Sequence, residues 1–70
     1  MRYVEFKILD DRTNKEEYIS RDKVLWYFGS SAQLTENIQD ARKEYEELGD
    51  KYDPYYKVAP HKYIAIRFKD

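Results

Sequence analysis

The spacing of hydrophobic and polar positions changes period along the chain, and each change marks an element. From residue 2 to residue 9 the pattern alternates, with Val4, Phe6 and Ile8 on one side and Tyr3, Glu5, Lys7 and Leu9 on the other. A period of two is that of a half-buried strand. Asp10 to Lys15 is wholly polar and reads as a turn, with Asn14 able to take a left-handed backbone. Glu17-Tyr18-Ile19 predicts a short returning strand.

From Ser20 the period lengthens. Ser20 is a suitable N-cap, Asp22 suits the first turn of a helix, and Val24, Leu25 and Phe28 share one helical face. Trp26 points nearly the other way, with Tyr27 between, and Gly29 breaks this short helix. A second helix follows. Its apolar residues Leu34, Ile38, Ala41, Tyr45 and Leu48 are spaced by four, three, four and three, a 3.6-residue stripe. Gly49 ends it. Glu36, Gln39, Asp40, Lys43, Glu44 and Glu47 occupy the opposite, solvated face.

Beyond a loop from Gly49 to Pro54, Tyr55 to Val58 predicts a strand, Ala59-Pro60-His61 a turn, and Tyr63 to Phe68 a last strand. Ile64, Ile66 and Phe68 face one way there, and Tyr63, Ala65 and Arg67 the other. The expected fold class is α+β: an N-terminal strand hairpin, two helices and a C-terminal β-hairpin, with the strands in one small antiparallel sheet that the helices cover.

Seventy residues make one domain, residues 1–70. A chain of this size buries only about 60% of the surface its unfolded form exposes, so its core rests on few side chains or on help from a partner. The absence of cysteine excludes disulfides and thiolate metal sites and suits a reducing cytoplasm. There is no signal-like or membrane-length apolar run, so no membrane partner is expected. The formal net charge is −1, but its distribution is uneven. Residues 36–50 carry six acids (Glu36, Asp40, Glu44, Glu46, Glu47, Asp50) against Arg42 and Lys43. Residues 54–69 carry Lys57, Lys62, Arg67 and Lys69 and no acid. Such a chain is electrically lopsided.

Nothing in the sequence points to catalysis. The single histidine, His61, falls in a turn, no thiol is present, and no carboxylate spacing matches a metal site. Two glycines cannot build a phosphate-cradling loop. The expectation is a non-enzymatic protein without cofactor or metal.

The helix pair resembles a helix-turn-helix. The resemblance rests on Val24-Leu25, Phe28-Gly29, Ser31, Leu34 and Ile38, and the flanking hairpins make the layout similar to the small winged helix-turn-helix proteins of phages and mobile elements. It covers residues 18–68 in layout and about 15 residues in motif. The chain departs from the family where Ser30 occupies a usually apolar turn position, and in the acidity of the second helix. The resemblance implies a regulator that binds duplex DNA in the cytoplasm of a bacterial host. Gln33, Thr35, Glu36, Asn37 and Gln39 would then meet base edges. Lys57, His61, Lys62 and Arg67 would hold phosphates from the wing, joined by Arg21 and Lys23.

The alternative is a protein-binding inhibitor or adaptor. Trp26 is its first anchor, because it lies off the apolar face of its helix, and Tyr52, Tyr55 and Tyr56 are the next. The acidic face carrying Glu36, Asp40 and Glu44 would dock on a basic surface, and a homodimer would use the same surfaces. The two readings differ in one geometric requirement. Duplex binding needs the basic hairpin and the start of the second helix on one side of the molecule.

Overall fold

In the computed structural model, Val4, Phe6 and Ile8 of the first strand lie directly opposite Phe68, Ile66 and Ile64 of the last. Directly opposed residues of an antiparallel pair project to the same face, so the two alternating patterns meet as one apolar surface. The structure describes residues 3–69. Residue 2, which the alternation assigns to the first strand, lies outside them. The elements are β1 (Tyr3–Asp10), β2 (Lys15–Tyr18), α1 (Arg21–Phe28), α2 (Ser31–Leu48), a 3-10 turn (Gly49–Lys51), β3 (Tyr55–Ala59) and β4 (Lys62–Lys69). The strands form one antiparallel sheet, as the sequence leads one to expect, and their order is β2-β1-β4-β3. The two long terminal strands occupy its centre.

Both helices begin and end where local chemistry requires. The Ser20 hydroxyl accepts from Lys23 N–H at 3.4 Å, and the Ser30 hydroxyl accepts from Gln33 N–H at 3.1 Å. Ser30, out of place as an apolar turn residue, is therefore the N-cap of α2. Gly29 closes α1 at φ 93°, with its N–H donating to Leu25 C=O at 2.9 Å. The helices cover one face of the sheet only. Val24 of α1 and Leu34 and Ala41 of α2 join Phe6, Ile64, Ile66 and Phe68 in the buried core. Tyr52 returns from the 3-10 turn to complete it. Its hydroxyl donates to Ile66 C=O at 3.1 Å, and its ring meets Tyr45 edge-on at 5.7 Å.

Several boundaries differ from the pattern: β1 runs through Asp10, and β2 begins at Lys15 rather than Glu17. β2 ends at Tyr18 rather than Ile19, although Ile19 N–H still donates to Phe6 C=O. β3 and β4 run longer than expected, leaving Pro60-His61 as a two-residue turn. Proline fixes the first φ near −65° and His61 takes φ 64°, the pattern of a type II turn. Leu48, expected in the apolar stripe, is 48% exposed. It sits at the rim of the stripe in the last turn of α2, where the chain leaves the helix.

Candidate functional surfaces

The sheet has a second face that no helix covers. Across its strands the register lines up Tyr3 with Lys69, Glu5 with Arg67, Lys7 with both Tyr18 and Ala65, and Leu9 with Glu16 and Tyr63; Tyr55 lies opposite Ala65 and Lys57 opposite Tyr63. Ala65 is fully buried on this helix-free face. Its small side chain leaves a depression that longer neighbours close over. Tyr55 donates its hydroxyl proton to Glu16, reaching from one edge strand to the other. Arg67 Nη2 donates to the Tyr55 hydroxyl at 3.0 Å and to Glu16 Oε2 at 3.4 Å, and Lys7 Nζ lies 3.5 Å from Glu16 Oε1. All four strands thus contribute to one polar canopy. The Tyr55 hydrogen bond, followed by the nearby Arg67 and Lys7 charges, holds the Glu16 carboxyl below its ordinary pKa against a partly opposing cost of burial. The same hydrogen bond, reinforced by burial, raises the Tyr55 phenol.

The basic residues expected to form a wing are placed in two ways. Lys57 and Arg67 belong to the helix-free face. His61 and Lys62 lie where the two hairpin turns clasp each other. Asp11 N–H donates to His61 C=O at 3.0 Å, and His61 Nδ1 lies 2.8 Å from Asp11 Oδ1. Lys62 Nζ donates to Asp10 Oδ2 at 2.9 Å, and the Arg12 guanidinium grips the same carboxylate. Those bonds, Arg12 first, hold Asp10 well below the usual carboxylate range. The run from Pro54 to Lys69 is acid-free in sequence but not in space, because the β1–β2 hairpin supplies the carboxylates.

Gln33, Thr35, Glu36, Asp40 and Glu44 are exposed on α2, on the other side of the sheet from Lys57 and Arg67. Asn37 is half-buried and accepts from Gln33 Nε2 at 3.5 Å. Arg21 and Lys23 are exposed on α1. The residues proposed for duplex contact therefore do not converge on one face. Nor do the three tyrosines: Tyr52 and Tyr56 pack against the core, and Tyr55 lies in the canopy. Burial raises the pKa of both Tyr52 and Tyr56.

Trp26 is where its helical phase puts it. It is 77% exposed, with its ring edge-on to Tyr27 at 5.0 Å. A hollow beside it is lined by Asp22, Lys23, Trp26 and Tyr27, and a recess lined by Tyr18, Ile19, Lys23 and Tyr27 adjoins it. Lys23 and Tyr27 belong to both, so one continuous surface runs from Tyr18 on the edge strand to Trp26. Sequence reasoning singled out Trp26 but not Tyr3, Lys7, Glu16, Tyr18 or Tyr63, whose signal is their shared parity in the strands, and it took Lys69 only as part of the acid-free run.

Among the described residues no group of three His, Asp or Glu side chains is placed to hold a metal ion, and no helix is long and apolar enough to cross a membrane. No protein-family model, curated protein or solved structure matches this chain.

Proposed function

We propose that this chain is a non-enzymatic protein-binding module whose contact surface is the outer side of α1, with Trp26 as its anchor. The observation that carries this reading is a large aromatic side chain left in water on a regular helix. A tryptophan left 77% exposed forgoes most of the stabilisation that burial offers. Docked in a partner's pocket it would supply that energy to binding, as tryptophans do at interface hot spots. The edge contact with Tyr27 supports the anchor from one side and reduces the entropy lost on docking. Carboxylates on the outward face of α2 (Glu36, Asp40, Glu44) favour a basic partner by long-range attraction. Duplex DNA is the weaker reading. The start of α2 lies on the other side of the sheet from Lys57 and Arg67, and Arg67 and Lys62 already have carboxylate partners.

The test is affinity capture from a lysate of the cells in which the chain is native, comparing wild type with Trp26→Ala. Trp26 is exposed, so the variant should keep the wild-type circular dichroism spectrum. The expected result is a partner retained by wild type and lost by the variant. It should also shift the emission of this single tryptophan when added to the wild-type chain. Equal retention by both proteins would overturn the assignment of α1 as the contact surface.

A further inference from the structure

Every tyrosine on the helix-free face of the sheet is matched with a cation. Tyr3 lies directly opposite Lys69, and Tyr63 directly opposite Lys57. Tyr18 lies opposite Lys7, whose ammonium is 4.7 Å from the ring centroid. Tyr55 is the diagonal neighbour of Arg67, whose guanidinium carbon is 5.9 Å from the ring centroid. The face holds four cations (Lys7, Lys57, Arg67, Lys69) against two carboxylates, Glu5 and Glu16. Glu16 draws on Lys7 and Arg67, while Lys57 and Lys69 have no acid within ion-pair distance among the described residues.

We propose that this face binds single-stranded nucleic acid, with bases stacked on Tyr3, Tyr18 and Tyr63 and phosphates held by Lys57 and Lys69. The chemistry follows from the pairing of ring and charge. An unstacked base offers a π-face of any sequence to a tyrosine, and its phosphate needs a cation one side chain away. Tyr18 and Tyr3 are 73% and 54% exposed, so their rings are accessible. A duplex hides its base faces and leaves these rings without a ligand, which is why the proposal is confined to single strands. The acidic side of α2 does not oppose it at physiological salt. It lies beyond the roughly 10 Å diameter of a helix, against a Debye length of about 8 Å.

Fluorescence anisotropy with labelled oligothymidylate, oligouridylate and a DNA duplex of equal length tests this, at low and near-physiological salt. Either single strand should bind at low salt and weaken as salt rises. Lys57→Gln should flatten the log–log salt slope by about 0.7, the value for one phosphate on a single strand. Tyr18→Ala should lower affinity about tenfold. Lys43→Gln on α2 and Trp26→Ala on α1 should leave binding unchanged, which separates this proposal from the protein-binding surface. All four positions are exposed, and circular dichroism checks that each variant folds. Undetectable binding of both single strands at low salt would overturn the proposal. So would a duplex bound as tightly as the single strands, or a Lys43→Gln variant as impaired as Lys57→Gln.

Discussion

Tyr55 and Glu16 sit on the two outermost strands of the sheet and are hydrogen-bonded to each other above its centre. The bond spans β1 and β4, and it is possible because Ala65 between them is small. It ties together the two strands that have only one neighbour each, which are the strands a small sheet loses first. Tyr55→Phe removes the donor while keeping the ring over Ala65. The expected cost is about 1–2 kcal/mol, typical of a hydrogen bond to a partly exposed charged group. The Glu16 carboxyl should then titrate closer to its ordinary value, since its largest favourable contact is gone. Urea denaturation and NMR titration of Glu16 would check both. An unchanged Glu16 titration would mean that Arg67 and Lys7 hold the carboxylate without help from Tyr55.

The elements were legible in the sequence because each rests on local signals. Alternation in β1 and β4, the stripe from Leu34 to Tyr45 and the Ser20 cap all agree with the fold, as expected of a consistent sequence. The helix-free face was less legible. Alternation places Tyr63, Ala65 and Arg67 together but does not say that Glu16, 51 residues from Arg67 in the chain, lies above them. Non-local pairing also misled the charge count. The run from Pro54 to Lys69 reads as a cationic wing until Asp10 and Asp11 are seen to close on Lys62 and His61. Trp26 was legible as a residue off its helix's apolar face, but whether a loop covered it depended on packing that periodicity does not encode.

The stripe on α2 makes a graded expectation about stability. Leu34 is 1% exposed at one end of the stripe, and Leu48 is 48% exposed at the other. Leu34→Ala removes buried methyl groups and leaves a cavity, at an expected cost of about 2–5 kcal/mol. Against the 5–15 kcal/mol that holds a typical domain together, that is enough to populate the unfolded state of a small one. Leu48→Ala should cost less than about 1 kcal/mol, because half of its surface is already in water. Denaturant midpoints of the two variants decide the matter. A Leu48→Ala loss as large as that of Leu34→Ala would show that the last turn of α2 is packed more tightly in solution than the 48% exposure of Leu48 implies.

The clasp between the hairpin turns gives the fold a sensitivity to acid with a definite sign. Hydrogen bonds from Arg12 and Lys62 favour the ionised form of Asp10 in the folded state, so its native pKa lies below its ordinary value of 3.8. A group shifted downward stabilises the fold fully at pH values above its unfolded pKa, and that contribution is lost as pH falls through 3.8 toward the native value. Glu16, also shifted downward from an ordinary 4.5, adds a loss of the same sign beginning slightly higher. Wild type should therefore lose thermal stability steadily below about pH 5. Asp10→Asn should be less stable than wild type near neutrality and should lose less on acidification, because the variant has no carboxylate there to protonate. The gap between the two melting temperatures should narrow steadily as the pH falls below about 5. Thermal melts at several pH values measure it directly. A gap that stays constant from neutral to acid pH would show that Asp10 acts through the shape of its turn rather than through its charge.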